Sequence, residues 1–473
     1  MRENLLGRLR AGKALTLRQL ILMTVQLSIP AIMAKVTSVI MQYIDASMVG
    51  TIGAEAAASI GLVDSSTWLL GGLTLSVGTG FTVQAAHRIG ANDNAGARSL
   101  MRHGLLTVLL FSAILGAVAV AISGSLPLWI GGTAEIRKDA SRYFAIYMAA
   151  LPLLALNYTA GAMLQASGNM QVPSLLNVMM CILDVIFNLL MIFPSRQLDC
   201  YGWIVPLPGA GLGVAGAALG TVMAEACCLV GMLWFLLKRS PVLHLRPENQ
   251  MFSYWQELRE ALRLALPMGF EEFVMGGAYV AFTRIVSPLG TVALAANSFA
   301  ITAESLCYMP GYGVAAAATT LIGQSVGAGR PKLARKLAWV NAAFGMFVML
   351  VMGLFMYGLA PVMMALLSPD LRVIAAGTEV LRIEAFAEPC FAAAIVVTGI
   401  FRGAGNTLLP SIVNFISMWG VRIPLAAWLA LSYGLRGVWI AMCTELCVRG
   451  CLFLFLLWQQ SERIYYHRII SKG

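Results

Sequence analysis

The chain of 473 residues is 59% hydrophobic and only 11% charged, whereas about a quarter of the residues in a typical soluble domain are charged. Together with a mean hydropathy of +0.79, this composition indicates an integral membrane protein and argues against an ordinary soluble enzyme. The formal net charge of +10 would fit nucleic-acid binding only if the basic residues formed one exposed patch.

Twelve apolar runs follow one another along the chain, each long enough to cross a bilayer as a helix of about 20 residues. They lie near residues 20–50, 56–82, 103–123, 142–165, 172–193, 212–237, 262–286, 292–322, 338–361, 378–401, 410–431 and 437–458. The sequence therefore predicts an all-α integral membrane protein with twelve transmembrane helices. The first run is too long, and too polar in its middle, for a cleavable signal peptide.

The basic residues between these runs predict the orientation of the chain. If the N-terminus is inside, most Lys and Arg residues fall in cytoplasmic loops and few in outer loops, as the positive-inside rule requires. We therefore expect a multi-pass protein of the plasma membrane, in a bacterium the inner membrane, with both termini in the cytoplasm. We also expect a lipid-embedded monomer that binds no nucleic acid.

The second half of the chain repeats the first at an offset of 237 residues, which aligns Pro30 with Pro267 and Asn177 with Asn414. The repeat needs no gap from about residue 30 to residue 190, after which an extra outer loop at 194–210 interrupts it. Because each copy has six spans, both have the same orientation, and a pseudo-two-fold axis along the membrane normal is expected to relate them. The predicted units are an N-terminal lobe at 1–237, a cytoplasmic linker at 238–261, and a C-terminal lobe with its cytoplasmic tail at 262–473.

Three pairs of repeated segments carry a resemblance to a known family. They are RIGANDNAGARSL (88–100) with QSVGAGRPKLARKL (324–337), LQASGNMQVPSLLNV (164–178) with FRGAGNTLLPSIVNF (401–415), and GLGVAGAALGT (211–221) with GLRGVWIAMCT (434–444). Their order resembles that of the multidrug and toxin extrusion (MATE) family over nearly the whole chain. The resemblance implies a two-lobe secondary antiporter, not an enzyme, that exports organic, often cationic, compounds in exchange for protons or Na⁺ by alternating access. It implies no cofactor.

Polar side chains inside the spans indicate where such coupling occurs, because an acid at a helix centre costs roughly 2.5–3.5 kcal/mol on insertion scales and so faces the protein interior. Helical periodicity places one polar stripe on the first span and one on the fifth. The first comprises Lys35, Ser38, Gln42 and Asp45, and the second comprises Asn177, Cys181, Asp184 and Asn188. Both acids fall in the outer half of the N-terminal lobe.

The resemblance implies that Asp45, Asp184, Asn188 and Thr221 form the cation-coupling site, and Asn177 of the same stripe is a further candidate. Many family members have Asn before Asp on the fifth span, whereas here Asp184 precedes Asn188. A desolvated carboxylate can exchange a proton near neutral pH, and Asp45 and Asp184 with an amide oxygen can hold Na⁺ through hard oxygen ligands. The sequence leaves the ion open. It also leaves open a purely structural role, in which these groups lock helices together.

The C-terminal lobe lacks this site, because the positions aligned with the two aspartates are Phe282 and Val421. The candidates for lining the substrate cavity are Gln42, Lys35, Glu271, Glu272 and Glu388. Lys35 aligns with Glu272, so their opposite charges are expected to face each other across the pseudo-two-fold axis. Glu272 either attracts a cationic substrate or pairs with a basic group.

Other functions fit the residues less well. A lipid or lipid-linked-oligosaccharide flippase of related architecture is the main alternative, and a strongly basic cavity would favour it. The basic residues predicted inside spans are Lys35, Arg284, Arg422 and Arg449, against more acids, which disfavours a flippase mildly. A channel would need matched filter segments, and neither a zinc-protease nor a nucleotide-binding motif occurs in the sequence.

Overall fold

The computed structural model describes residues 5–200, 203–246 and 253–460. Within these ranges the protein is helical apart from one β-hairpin, as the composition predicts. The first half contains, in chain order, α1 (Leu5–Arg10), α2 (Leu17–Gly50), α3 (Ala54–Gly90), α4 (Asn94–Ile122), α5 (Leu126–Trp129), α6 (Ala134–Ala149), α7 (Leu151–Ala166), α8 (Gln171–Ile192), strands β1 (Pro194–Cys200) and β2 (Trp203–Ala210), and α9 (Val214–Trp234), which ends in a π-helical turn at Phe235–Arg239.

The second half repeats this order without the hairpin. It contains α10 (Tyr254–Val286) with a 3₁₀ turn at Ser287–Leu289, α11 (Thr291–Gly327), α12 (Pro331–Leu367), α13 (Leu371–Glu384), α14 (Glu388–Gly403), α15 (Leu408–Ser417) with a π-helical turn at Met418–Arg422, and α16 (Ile423–Gln460).

Twelve membrane spans can be counted in these helices. Eight of the described helical stretches are long and apolar enough to cross a membrane, and the bent pair α6 and α7 makes a ninth. The 52-residue stretch Leu408–Gln459 is long enough for two spans, and we divide it at Gly434, where the non-helical backbone (φ 57°) breaks α16. The charged 33-residue helix α10 and the pair α13 and α14 complete the twelve.

The two most extensive helix pairs between the lobes are α2 against α11 and α3 against α10, and α3 also packs against α11. In the repeat, α2 corresponds to α10 and α3 corresponds to α11. A pseudo-two-fold rotation therefore places the α2–α11 pair on the α10–α3 pair. The packing therefore agrees with the pseudo-two-fold relation that the sequence repeat predicts.

Hydrogen bonds between the lobes occur at the end of the molecule that carries the basic loops. His87 Nε2 lies 2.7 Å from the carbonyl oxygen of Gly403. At the equivalent positions of the repeat, Gln324 Nε2 donates to the carbonyl oxygen of Ala166 over 2.7 Å. This reciprocal pair seals one end of the interface, here called the inner gate (His87, Ala166, Gln324 and Gly403).

Two glycines allow the backbones at the inner gate to approach. A Cβ added at Gly90 would overlap the backbone of Gln324, and one added at Gly327 would overlap the backbone of His87. These glycines belong to the repeated segments RIGAN and QSVGAG, so the motif glycines serve close helix packing.

The short helix α1 covers the inner gate. Its Leu5 and Leu9 are buried, and Arg10 donates to the carbonyl oxygen of Ser167 over 2.9 Å and to Gln324 Oε1 over 3.1 Å. Since Ser167 belongs to the first lobe and Gln324 to the second, Arg10 connects the two lobes. The sequence predicts only a basic cytoplasmic segment here.

Two connecting segments differ from the sequence-based expectation. The predicted outer loop at 194–210 contains the antiparallel strands β1 and β2, in which Leu198 pairs with Val205 and Asp199 with Ile204. The prolines and glycines of this segment favoured the prediction of a loop, although it also contains a short run of β-branched residues, which favours a strand. In the predicted linker at 238–261, helix α10 already begins at Tyr254, and residues 247–252 lie outside the described ranges.

Candidate cation site and central cavity

A three-residue hydrogen-bonded cluster joins α2 to α8 in the first lobe. Asn188 Nδ2 donates to Asp45 Oδ1 over 2.9 Å and to Asp184 Oδ2 over 3.0 Å. Asp184 and Asn188 are one helical turn apart and fully buried, whereas Asp45 is half-buried. The outer ends of the two polar stripes therefore meet, and this cluster is called the cation site (Asp45, Asp184 and Asn188).

Oxygen atoms of the cation site remain without a donor. Asp184 Oδ1 and Asn188 Oδ1 are buried and have no hydrogen-bond partner among the described residues. The Thr221 side chain on α9 lies beside Asp184. Because a buried polar atom without a partner is costly, these oxygens fit a small occupant, either a proton shared between the carboxyl groups or a Na⁺ ion coordinated by them.

Gly220 supplies the room that Asn188 needs. A Cβ added at Gly220 would overlap Asn188 Oδ1 and lie 3.0 Å from the Asn188 backbone nitrogen. Only glycine at this point of α9 therefore lets the amide reach both carboxylates. The sequence gives Gly220 within the motif GLGVAGAALGT without indicating this role.

More polar groups surround the cation site than the sequence predicts. Asn157 Nδ2 on α7 donates to Glu225 Oε2 over 2.5 Å. Asp64 on α3, Glu225 on α9 and the two site aspartates all lie near Tyr147. Tyr147 stacks on Tyr143 with ring centroids 6.0 Å apart. An isolated Asn in the apolar run of α7, and the one-turn spacing of Thr221 and Glu225, were the available signals.

Two predicted residues lie apart from the site that was expected for each. Asn177, a candidate for the cation site, is half-buried two turns before Asp184, and none of the bonds that define the site involves it. Gln42, a candidate for the substrate cavity, is exposed on α2 and is not among the residues that line the central cavity described below. A helical stripe is longer than one site, so periodicity alone selects too many residues.

A central cavity of about 230 Å³ lies between the lobes next to the inner gate. Its charged lining residues are Lys35, Glu271, Arg402 and Arg449, and its aromatic lining residues are Tyr158, Tyr312 and Phe391. Arg402 lies in the repeated segment at 401–415, and α14 carries its side chain to the cavity wall.

Glu271 and Glu272 have different surroundings. Glu271 lines the central cavity and accepts hydrogen bonds from Arg402 Nη2 at 3.2 Å, Ser411 Oγ at 2.7 Å and Asn414 Nδ2 at 2.6 Å. Glu272 instead lines a neighbouring groove with Trp68 between α3 and α10. The adjacent residue Glu271 therefore shares the cavity with Lys35, where the repeat pointed to Glu272.

Glu388 is buried inside the second lobe and is not part of the cavity wall. Glu384 and Glu388 are each 1% exposed, and neither carboxylate has a hydrogen-bond partner in the described part of the chain. Glu445 is also buried, but it accepts from Arg422 Nη2 at 2.6 Å and lies 3.1 Å from Arg449 Nε. The second lobe thus contains buried acids of two kinds, paired and unpaired.

Comparisons with known proteins agree with this architecture. The MatE family model matches residues 30–190 and 267–428, which are the two copies of the repeat. A probable multidrug resistance protein NorM of Thermotoga maritima is 24% identical over 455 residues, covering 95% of this chain and 95% of the relative. The multidrug resistance protein PmpM of Pseudomonas aeruginosa is 24% identical over 457 residues, covering 92% and 91%.

A solved structure has the same fold. The Vibrio cholerae MATE transporter VcmN in its bent form superposes with a TM-score of 0.84 at 18% identity, covering 95% of this chain and 98% of that one. Sequence and structure comparisons thus extend over both lobes.

Proposed function

The chain belongs to the MatE family of multidrug transporters, and we propose that it is a secondary antiporter that exports organic compounds in exchange for protons or Na⁺. The observation that carries this proposal is the cation site, where Asn188 bridges Asp45 on α2 and Asp184 on α8 beside oxygens that have no donor. A bridge between two helices is a place where one small ion can change their relative position.

The bridge connects ion binding to the substrate cavity through α2. This helix carries Asp45 beyond its internal proline, Pro30, and Lys35 of the cavity wall lies between them. Proline inside a helix removes a backbone hydrogen bond and permits bending. A proton or Na⁺ at the cation site would alter the hydrogen bonds of Asn188, and the outer part of α2 would move with Lys35.

Alternating access requires that ion and substrate favour different arrangements of the lobes. A coupling free energy of about 1–3 kcal/mol between the two sites is typical of such linkage. The distance along α2 from Lys35 to Asp45 is about three helical turns, so the two occupants do not need to touch. They compete through the position of α2.

We assign the described arrangement to the outward-facing state. The inner gate is closed at the end that carries the basic loops, and this end faces the cytoplasm by the positive-inside rule. The N-terminal helix α1 lies at the same end. We further propose a plasma-membrane location, the inner membrane in a bacterium, with both termini cytoplasmic and a monomer surrounded by lipid.

The flippase alternative receives no support from the relatives described above, which are named as multidrug resistance proteins. The charges that line the central cavity bear directly on the expected preference for cationic substrates.

Transport by purified protein in proteoliposomes tests the proposal. A proton gradient and a Na⁺ gradient are imposed separately, and movement of a panel of fluorescent organic compounds is followed, with an ionophore that collapses each gradient as control. Antiport predicts accumulation under at least one gradient and its loss on adding the matching ionophore. Equal movement with and without both gradients would contradict it.

A further inference from the structure

The charges that line the central cavity are mostly positive. Lys35 reaches it from α2, Arg402 from α14 and Arg449 from α16, whereas Glu271 is the one acidic lining residue among those described. The predominant sign of charge in the cavity is therefore opposite to that around the cation site, where carboxylates predominate. The charge available to a ligand depends on which of these groups are already paired.

Glu271 is fully engaged by the protein. Its two oxygens accept hydrogen bonds from Arg402, Ser411 and Asn414 at 2.6–3.2 Å. The ion pair with Arg402 cancels one positive charge of the cavity and the only negative one. Glu271 therefore has little capacity left to attract an organic cation.

Arg449 retains positive charge because it shares its counter-ion. Glu445 accepts two hydrogen bonds from Arg422, at 2.6 and 2.9 Å, and lies 3.1 Å from Arg449 Nε. One carboxylate thus faces two guanidinium groups. Arg449 also lies over the ring of Phe391, 5.6 Å from its centroid, and both residues line the cavity.

Lys35 has no ion pair within the described part of the chain. Glu272 lines the neighbouring groove rather than this cavity. Glu384 and Glu388 are buried away from the cavity wall without donors, and an isolated carboxyl group in such a place avoids ionisation because a buried unpaired charge is very costly. They do not offset the charge of Lys35.

We propose that the central cavity binds its substrate through an anionic group, such as a carboxylate, sulfonate or phosphate, held between Lys35 and Arg449. The aromatic faces of Tyr158, Tyr312 and Phe391 accommodate a planar ring system beside it. The substrates are then organic anions or zwitterions, and simple organic cations are disfavoured by like-charge repulsion. This inference rests on the proposed function in that the cavity is taken as the transport site.

Equilibrium binding to the purified protein tests the charge preference. Three naphthalene probes of similar size are compared by isothermal titration calorimetry: naphthalene sulfonate, the neutral sulfonamide, and naphthylmethylammonium. The sulfonate is expected to bind at least tenfold more tightly than the ammonium. Equal or tighter binding of the ammonium, or no saturable binding of the sulfonate, would overturn the inference.

Variants of Lys35 locate the effect. Lys35→Gln should weaken sulfonate binding about tenfold, the loss expected for one hydrogen bond to a charged group, and Lys35→Arg should restore most of it. Lys332→Gln, at an exposed position in the first turn of α12, is the matched control and should leave binding unchanged. Unaltered sulfonate affinity in folded Lys35→Gln protein would contradict the assignment.

The same probes separate this inference from the proposed antiport. Sulfonate that binds with the expected preference, but is not moved by a proton or Na⁺ gradient, would refute the antiport and leave the binding inference standing. Gradient-driven transport of the ammonium without sulfonate binding would support the antiport and refute the binding inference.

Discussion

Replacing Gly220 with alanine should disable the cation site without removing any of its polar groups. The new methyl group would overlap Asn188 Oδ1 and lie 3.0 Å from the Asn188 backbone nitrogen. Because α8 is packed against α9, the amide must turn away by roughly an ångström to restore a normal contact. Its hydrogen bonds to Asp45 at 2.9 Å and Asp184 at 3.0 Å would then be lost or stretched.

The magnitude follows from two contributions. Overpacking a buried site costs about 1–3 kcal/mol, and losing one hydrogen bond to a charged group costs about 1.5–3 kcal/mol. If one of these costs falls on the ion-bound state, the half-saturating concentration of the coupling ion rises about ten- to a hundredfold. The assay is gradient-driven transport in proteoliposomes as a function of that ion's concentration.

Gly231→Ala is the control on the same pair of helices. A Cβ at Gly231 would meet the side chain of Leu176, whose methyl groups lie nearest at 3.0 and 3.4 Å, and the end of this flexible side chain can adjust. Gly231→Ala should therefore keep the ion dependence of the unmodified protein. An unchanged half-saturating concentration in folded Gly220→Ala protein would refute the steric argument.

Three further predictions concern the inner gate and the buried charges. Replacing both His87 and Gln324 with alanine removes the reciprocal bonds between the lobes and should raise the inward-open population. This is measured as a longer distance between spin labels on the cytoplasmic loops, and an unchanged distance distribution would count against the gate. Arg402→Met leaves the Glu271 carboxylate unpaired and should lower the free energy of unfolding by about 3 kcal/mol, with partial recovery on adding Glu271→Leu; equal stability of the single variant and the unmodified protein would contradict this. Glu388→Gln replaces an unpartnered buried carboxyl group with a neutral group of the same shape. The number of ions transported per substrate, measured from reversal potentials, should therefore not change, and a lower number would make Glu388 a coupling residue.

The sequence predicts the large-scale fold because its signals are long. Twelve apolar runs and a repeat without gaps over 161 residues each combine many positions, and local ambiguity averages out. The orientation of both lobes then follows from an even number of spans. The polar stripes also extend over several turns, which explains why Asp45 and Asp184 were expected near each other. The polar faces of two membrane helices both turn toward the protein interior, where they can meet.

The details that sequence reasoning missed depend on single contacts between distant segments. Arg402 belongs to a loop motif by composition, and only the position of the inner gate places it in the cavity wall. The role of Gly220 depends on where the Asn188 amide lies, and that of Arg10 on the helix contacts of α1. Periodicity also cannot tell which part of a stripe is used, so Asn177 was included among the cation-site residues and Gln42 among the residues of the substrate cavity.

The most direct test of the account is to compare two kinds of transport in Asp45→Asn protein. Gradient-driven accumulation needs the coupling ion, whereas exchange of labelled for unlabelled substrate across the membrane needs only substrate binding and the movement of the lobes. We predict that Asp45→Asn abolishes accumulation and retains exchange, while Asp139→Asn, at an exposed site on α6, retains both. Accumulation at the rate of the unmodified protein in Asp45→Asn would show that the carboxylate only holds helices together, and would contradict coupling at this site.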